Sequence, residues 1–256
     1  MKQLSVNILK NKWKQFLPLF FLALITVIKL SSISGGNLKD YFFYFYEGMD
    51  MFEPGGSQVF ELPYLWFLLH SYILFLVGRD LGDELDILET KLLFEKGRVK
   101  FRFIKFFTIL FKAILSIVIF LLSIVLFKET VGRFVPAFEG VEYFNQGNFP
   151  MELYNDEVLY ETMVKSVLGI LIFSVILQLI SYFIDERISF IMVNLIMISG
   201  LFLGKSTLLI NGMMIRRYSY SANILYYIVV LSILIVTTIM LFKAKEKNKD
   251  YLGVFR

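Results

Sequence analysis

The run FFTILFKAILSIVIFLLSIVLF, residues 106–127, decides the fold: it holds 22 residues and one formal charge, Lys112. A bilayer core about 30 Å thick is crossed by roughly 20 apolar residues of helix, at a rise of about 1.5 Å per residue. This run is therefore predicted to span a membrane. Similar runs lie at 15–34, 60–77, 163–184, 188–203 and 223–242, the last but one short for a full crossing. The chain of 256 residues is 57% hydrophobic and 17% aromatic but only 19% charged, too few charges to coat a soluble domain of this size. An ordinary soluble enzyme is not expected. With no Cys and one His, disulfides, thiolate chemistry and a His-rich zinc site are excluded, although counting does not exclude a carboxylate metal site.

The predicted fold is an all-α integral membrane protein, a single transmembrane domain over 1–256 with about six membrane-spanning helices. Six crossings put both termini on one side, and Lys and Arg choose which. Segments 1–14, 78–105, 185–187 and 243–256 carry 17 of them, against 6 on 35–59, 128–162 and 204–222. With Glu61, at the edge of the second run, counted on the second side, the formal charge of +4 divides into +7 on the first side, −6 on the second and +3 within the runs. Both termini are expected in the cytoplasm and the chain in the plasma membrane. The excess positive charge then faces anionic lipid, with no call for nucleic acid. The first run follows Lys10, Lys12 and Lys14, and Ser32-Ile33-Ser34 offers a small-residue cleavage pattern. Its length and the charge balance favour a retained span over a cleaved signal.

Residues 4–17 place Leu4, Leu9, Trp13, Phe16 and Leu17 near one helical face, the pattern of an N-terminal interfacial helix with Pro18 at its bend. Between the second and third runs, Leu81, Leu85, Leu88 and Leu92 form an apolar stripe at helical spacing. Asp80, Asp83, Glu84, Asp86 and Glu89 surround it and load its first turns with acid. Such a helix is too small for a core of its own. Either a soluble partner covers the stripe, or it packs on the membrane face or the bundle. On the opposite side, turn signals at Gly35-Gly36 and Pro54-Gly55-Gly56 flank the aromatic run Tyr41–Tyr46.

Most candidate chemistry fails. Gly204-Lys205-Ser206-Thr207 resembles the end of a phosphate loop, but Ser199 stands where the first Gly is required and no strand precedes it. His70 and Trp66, in the second run, are the candidates for a substrate path. For His70 the alternative is a bond to a neighbouring helix's Ser or backbone carbonyl. Lys29 and Lys112 lie near enough to span ends to snorkel, and Lys165 sits four residues from Glu161, in reach of an ion pair. Asp185-Glu186-Arg187 reads as a solvated tight turn or as a second cytoplasmic contact for a partner. No catalytic set and no metal set emerges.

Glu61-Leu62-Pro63-Tyr64-Leu65-Trp66, Gly78-Arg79-Asp80-Leu81-Gly82, Ile87-Leu88 and Glu95-Lys96-Gly97-Arg98 together resemble the permease subunits of type-2 ABC exporters, in particular small six-span Gram-positive forms. Phe101-Arg102-Phe103-Ile104-Lys105 stands where that family often carries paired Trp, and Glu95 departs from its usual small or basic residues. The likeness implies an amphipathic N-terminal helix near 3–14, a coupling helix near 80–95 and outer re-entrant helices near 204–222. It implies that Asp80, Leu81, Glu84, Leu85, Leu88, Glu89 and Leu92 meet a cytoplasmic ABC ATPase. ATP and Mg would then sit on that partner, none bound by this chain, and two permease chains would form a homo- or heterodimer. The expected cargo is a peptide, antibiotic or other amphiphile, and the rivals are a stand-alone membrane immunity or sensor protein and an intramembrane enzyme using His70.

Overall fold

The computed structural model describes residues 13–31, 38–51, 63–82, 98–130, 151–203 and 209–252, and among these there is helix and turn but no strand. Among the described residues seven α-helices follow one another: α1 (Leu17–Ser31), α2 (Leu38–Tyr46), α3 (Tyr64–Gly82), α4 (Arg98–Thr130), α5 (Asp156–Ser181), α6 (Glu186–Phe202) and α7 (Ile224–Leu252). Short 3₁₀ turns occupy Trp13–Phe16, Met151–Leu153, Leu209–Met213 and Ile215–Tyr220. Each of the six apolar runs lies on a helix. Among the described residues three stretches are long and apolar enough to cross a membrane: Phe101–Thr130, Asp156–Ser181 and Ile224–Ala244. The 15 residues of α1 and the 17 of α6 fall short of the roughly 20 required.

The bundle has an apolar core with a set of polar and charged side chains buried in it, and an apolar exterior as well. On α4, Phe107, Phe111, Ile114, Val118, Leu122 and Leu126 are exposed at helical spacing, while His70, Lys165 and Arg217 are buried. Water does not tolerate such an exterior over several helices, whereas hydrocarbon does. Helix α5 is the axis: it packs against α2, α3, α4, α6, α7 and both late 3₁₀ turns. Of its most apolar window 56% is buried, against 11% for α7, so α7 lies on the rim and presents most of its surface outward.

Local chemistry sets the helix ends. Asn155 caps α5 by accepting from the Glu157 amide at 3.1 Å, with Asp156 and Glu157 in the first turn. Asp185 does the same for α6, accepting from the Arg187 amide at 2.8 Å. Pro18 sits in the first turn of α1, where its missing amide donor costs nothing, directly after the Trp13–Phe16 turn. Helix α4 starts at Arg98, eight residues before the apolar run, because Lys and Arg are good helix formers and carry the ladder beyond the apolar stretch. The aromatic run Tyr41–Tyr46, expected among connecting segments, is instead the inner surface of α2. Tyr41, Phe43, Phe45 and Tyr46 are buried against α1, α3, α4 and α5, since so much aromatic surface is costly to leave in water.

Candidate functional site

Two buried polar centres stand out, both built around the irregular stretch 209–220. The first lies between α2, α3 and α5. The His70 ring faces the Trp66 carbonyl through Nδ1 at 2.7 Å and the Ser166 hydroxyl through Nε2 at 2.9 Å. A carbonyl only accepts, so Nδ1 carries the proton and Ser166 donates to Nε2, the neutral tautomer. Tyr46 hydrogen-bonds the same Ser166, and burial pushes its phenol above the ordinary range. Trp66 stacks on His70 with centroids 4.3 Å apart, and its indole Nε1 donates to the Met213 carbonyl at 3.0 Å. The two residues proposed for a substrate path are therefore both buried with every ring nitrogen engaged. His70 has the neighbouring helix's Ser of the alternative reading, while its carbonyl partner lies one turn back on its own helix. One turn from Ser166, the buried Thr162 hydroxyl has no hydrogen-bond partner.

The second centre is formed by consecutive arginines. Arg217 is fully buried and spends all five of its N–H donors. Nε donates to the Met49 carbonyl at 3.0 Å; Nη1 donates to Asn211 Oδ1 at 3.2 Å and to the Gly200 carbonyl at 3.4 Å. Nη2 donates to the carbonyls of Asp50 at 3.0 Å and Leu201 at 2.7 Å. Gly200 and Leu201 belong to the last turn of α6, whose carbonyls have no partner within the helix and form the negative end of its dipole. The guanidinium thus caps a helix without an ion pair to a carboxylate. Burial lowers its pKa from the ordinary value and the charge of Asp50 opposes the shift. This cap also gives a physical reason for the short fifth apolar run: α6 stops where Arg217 receives its carbonyls.

Arg216 points the other way, donating from Nε to Glu47 Oε1 at 2.8 Å and from Nη1 to Asp50 Oδ2 at 2.8 Å. Burial alone would lower its pKa, but Glu47 and Asp50 outweigh that and raise it. Beside it, Lys165 is buried with Nζ 2.8 Å from Glu161 Oε1, 2.8 Å from Ser221 Oγ and 4.9 Å from the centre of the Tyr218 ring. Tyr218 donates its hydroxyl to Glu161, and Tyr227 donates to the Leu209 carbonyl at 2.5 Å. The backbone fits closely. Gly48 has φ +74°, and a Cβ there would meet Met214 at 2.5 Å; a Cβ on Gly169 would collide with Met213. Polar side chains from α3, α5 and α7 thus stitch a segment of two short 3₁₀ helices that lacks an α-helical ladder, as backbone away from water requires.

The pairing at Tyr218 makes a pH prediction. The hydrogen bond to Glu161 is the larger cause, with burial second, of a phenol pKa pushed up to about 12. A raised folded pKa means that the neutral phenol is favoured by folding. Its contribution is complete below the unfolded value, roughly 10, and is lost as pH rises through about 12. Tyr218→Phe is expected to flatten the fall in melting temperature between those limits. Parallel curves for the two proteins would count against it.

The remaining sequence candidates distribute as follows. Lys29, expected to snorkel, is exposed in the last turn of α1, where its Nζ donates to the Tyr64 hydroxyl and lies 4.7 Å from the ring centre. Lys112, also expected to snorkel, is buried, with Nζ donating to Gln15 Oε1 at 2.8 Å, because the turn before α1 brings an acceptor to it. Asp185 caps α6, Glu186 lies in the first turn and Arg187 is exposed. Asp80 and Leu81 lie in the last turn of α3. Glu84, Leu85, Leu88, Glu89 and Leu92 lie outside the described residues, as do most of the 3–14 helix and residues 204–208. Among the described residues no three His, Asp or Glu side chains gather as a metal site. Sequence reasoning missed Tyr46, Ser166 and Asn211, whose only signal is a polar residue within an apolar stretch. No family model, no curated protein and no solved structure matches the chain.

Proposed function

We propose that the chain is the membrane-spanning subunit of a type-2 ABC exporter, in the plasma membrane with six crossings and both termini in the cytoplasm. The observation that carries this reading is the stitched stretch 209–220 between α6 and α7. It is a largely buried pair of short 3₁₀ helices flanked by helices with apolar exteriors, and the sequence resemblance calls for outer re-entrant helices over the same residues. The polarity of Lys and Arg supports the same orientation, putting residues 80–95 on the cytoplasmic side. There the leucine stripe meets a separate ATPase that holds ATP and Mg. Closure of that ATPase pushes on 80–95 and tilts α1, α3 and α6 in a dimer of permease chains. The cargo is a peptide or other amphiphile.

Purification from the native host in mild detergent tests this. An ATP-binding subunit is expected to copurify, and Leu85→Asp with Leu88→Asp is expected to release it while leaving the melting temperature unchanged. Copurification that survives the double substitution would overturn the docking role of the stripe. Absence of any such subunit would favour a stand-alone immunity or sensor protein, a reading that the fully engaged polar groups of Arg217 and His70 also suit.

A further inference from the structure

The geometry points to a binding site for the phosphate headgroup of an anionic phospholipid at the joint of α1, α3 and α4, formed by Lys14, Arg79 and Lys105. Gln15 marks the joint. Its carbonyl accepts from the Tyr72 hydroxyl of α3 at 2.6 Å, and its side chain accepts from Lys112 of α4 at 2.8 Å. Arg79 lies seven residues after Tyr72, and Lys105 seven before Lys112. Seven residues are two helical turns, which return to the same face about 10 Å along the axis. The two helices run in opposite senses: Tyr64, at the start of α3, meets Lys29 at the far end of α1, while Phe120, late in α4, meets Phe45 of α2. Both two-turn steps therefore lead towards the same end of the bundle. Lys14, exposed and adjacent to Gln15, is the third cation there.

A second observation gives the ligand its tail. Leu17, Phe21, Ile25 and Ile28 are exposed and follow Lys14 at spacings of 3, 4, 4 and 3, one apolar stripe along α1 beginning at a lysine. A free anion has no use for that stripe; a phospholipid has an acyl chain to lay on it, with its phosphate among the cations. The site rests on the membrane reading above, which makes this end the cytoplasmic one, but not on the ATPase partner.

The test measures thermal stabilisation of the purified chain in neutral detergent on titration with dioleoylphosphatidylglycerol, dioleoylphosphatidylcholine or inorganic phosphate. Only the phosphatidylglycerol is expected to stabilise. Lys14→Gln, Arg79→Gln and Lys105→Gln together should weaken it roughly 100-fold, at about a factor of five per cation, while Lys243→Gln, Lys245→Gln and Lys247→Gln together should not. Should the first triple fail to fold, Lys14→Gln and Lys105→Gln singly are expected to weaken binding about fivefold each. Equal losses in the two triples would mean diffuse charge and overturn the site. Equal stabilisation by inorganic phosphate would overturn the lipid as its source. A chain found outside the membrane fraction would instead overturn the parent reading.

Discussion

Replacing Arg217 by Met is expected to cost at least 3 kcal/mol, the largest effect of any single substitution considered, read as loss of a cooperative melting transition in detergent. The side chain removed leaves five acceptors, the carbonyls of Met49, Asp50, Gly200 and Leu201 and the Asn211 amide oxygen, without their donor in a buried setting. Each unsatisfied acceptor costs about 1–3 kcal/mol, partly relieved wherever water enters. Arg217→Lys should fare little better, because three donors at a point cannot serve five acceptors arranged around a plane. Asp50→Asn is the informative contrast. It removes only the ion pair with Arg216, whose Asp50 side is 55% exposed and screened, and keeps the Asp50 carbonyl that Arg217 uses, so it should cost only about 1 kcal/mol. Equal losses at the two positions would show that Arg217 does not cap α6.

At the neighbouring pair the expected result is an asymmetry. Lys165 is 2% exposed and Glu161 23%. Removing the carboxylate by Glu161→Gln leaves a buried ammonium with only Ser221 and the Tyr218 ring, and is expected to cost about 3–5 kcal/mol. Removing the ammonium by Lys165→Met leaves a carboxylate that solvent and Tyr218 can still serve, and should cost about 1–3 kcal/mol. The double substitution should cost less than the sum, by about 1–2 kcal/mol of coupling. Additive losses from a full set of melting curves would show that the two side chains do not hold each other.

Much of the architecture was readable from the chain. The 22-residue run at 106–127 could only be helix in an apolar medium, and each of its five counterparts is helical too. The pairing of Lys165 with Glu161 follows from a separation of four residues, whereas Asp185, read as part of a turn, caps α6. These are local regularities, fixed by the helical repeat and by backbone groups within one turn. The chemical class of the His70 partners was equally legible, since a lone imidazole in an apolar helix has few ways to be satisfied.

Other features needed the packed bundle. Lys112 has the same sequence context as a snorkelling lysine, and only the turn before α1, 97 residues away, supplies its acceptor. Trp66 reaches a carbonyl 147 residues distant and Arg216 a carboxylate 169 residues distant. Periodicity records which face of a helix is apolar; it does not record which other helix that face meets. The sequence by itself therefore determined helices, their apolar faces and the uneven charge of the segments joining them, because hydropathy and charge act residue by residue. The tertiary structure alone decided that α2 is buried, that α6 ends under a guanidinium and that 209–220 is held without an α-helical ladder, because a hydrogen bond depends on where two distant groups finally come to lie.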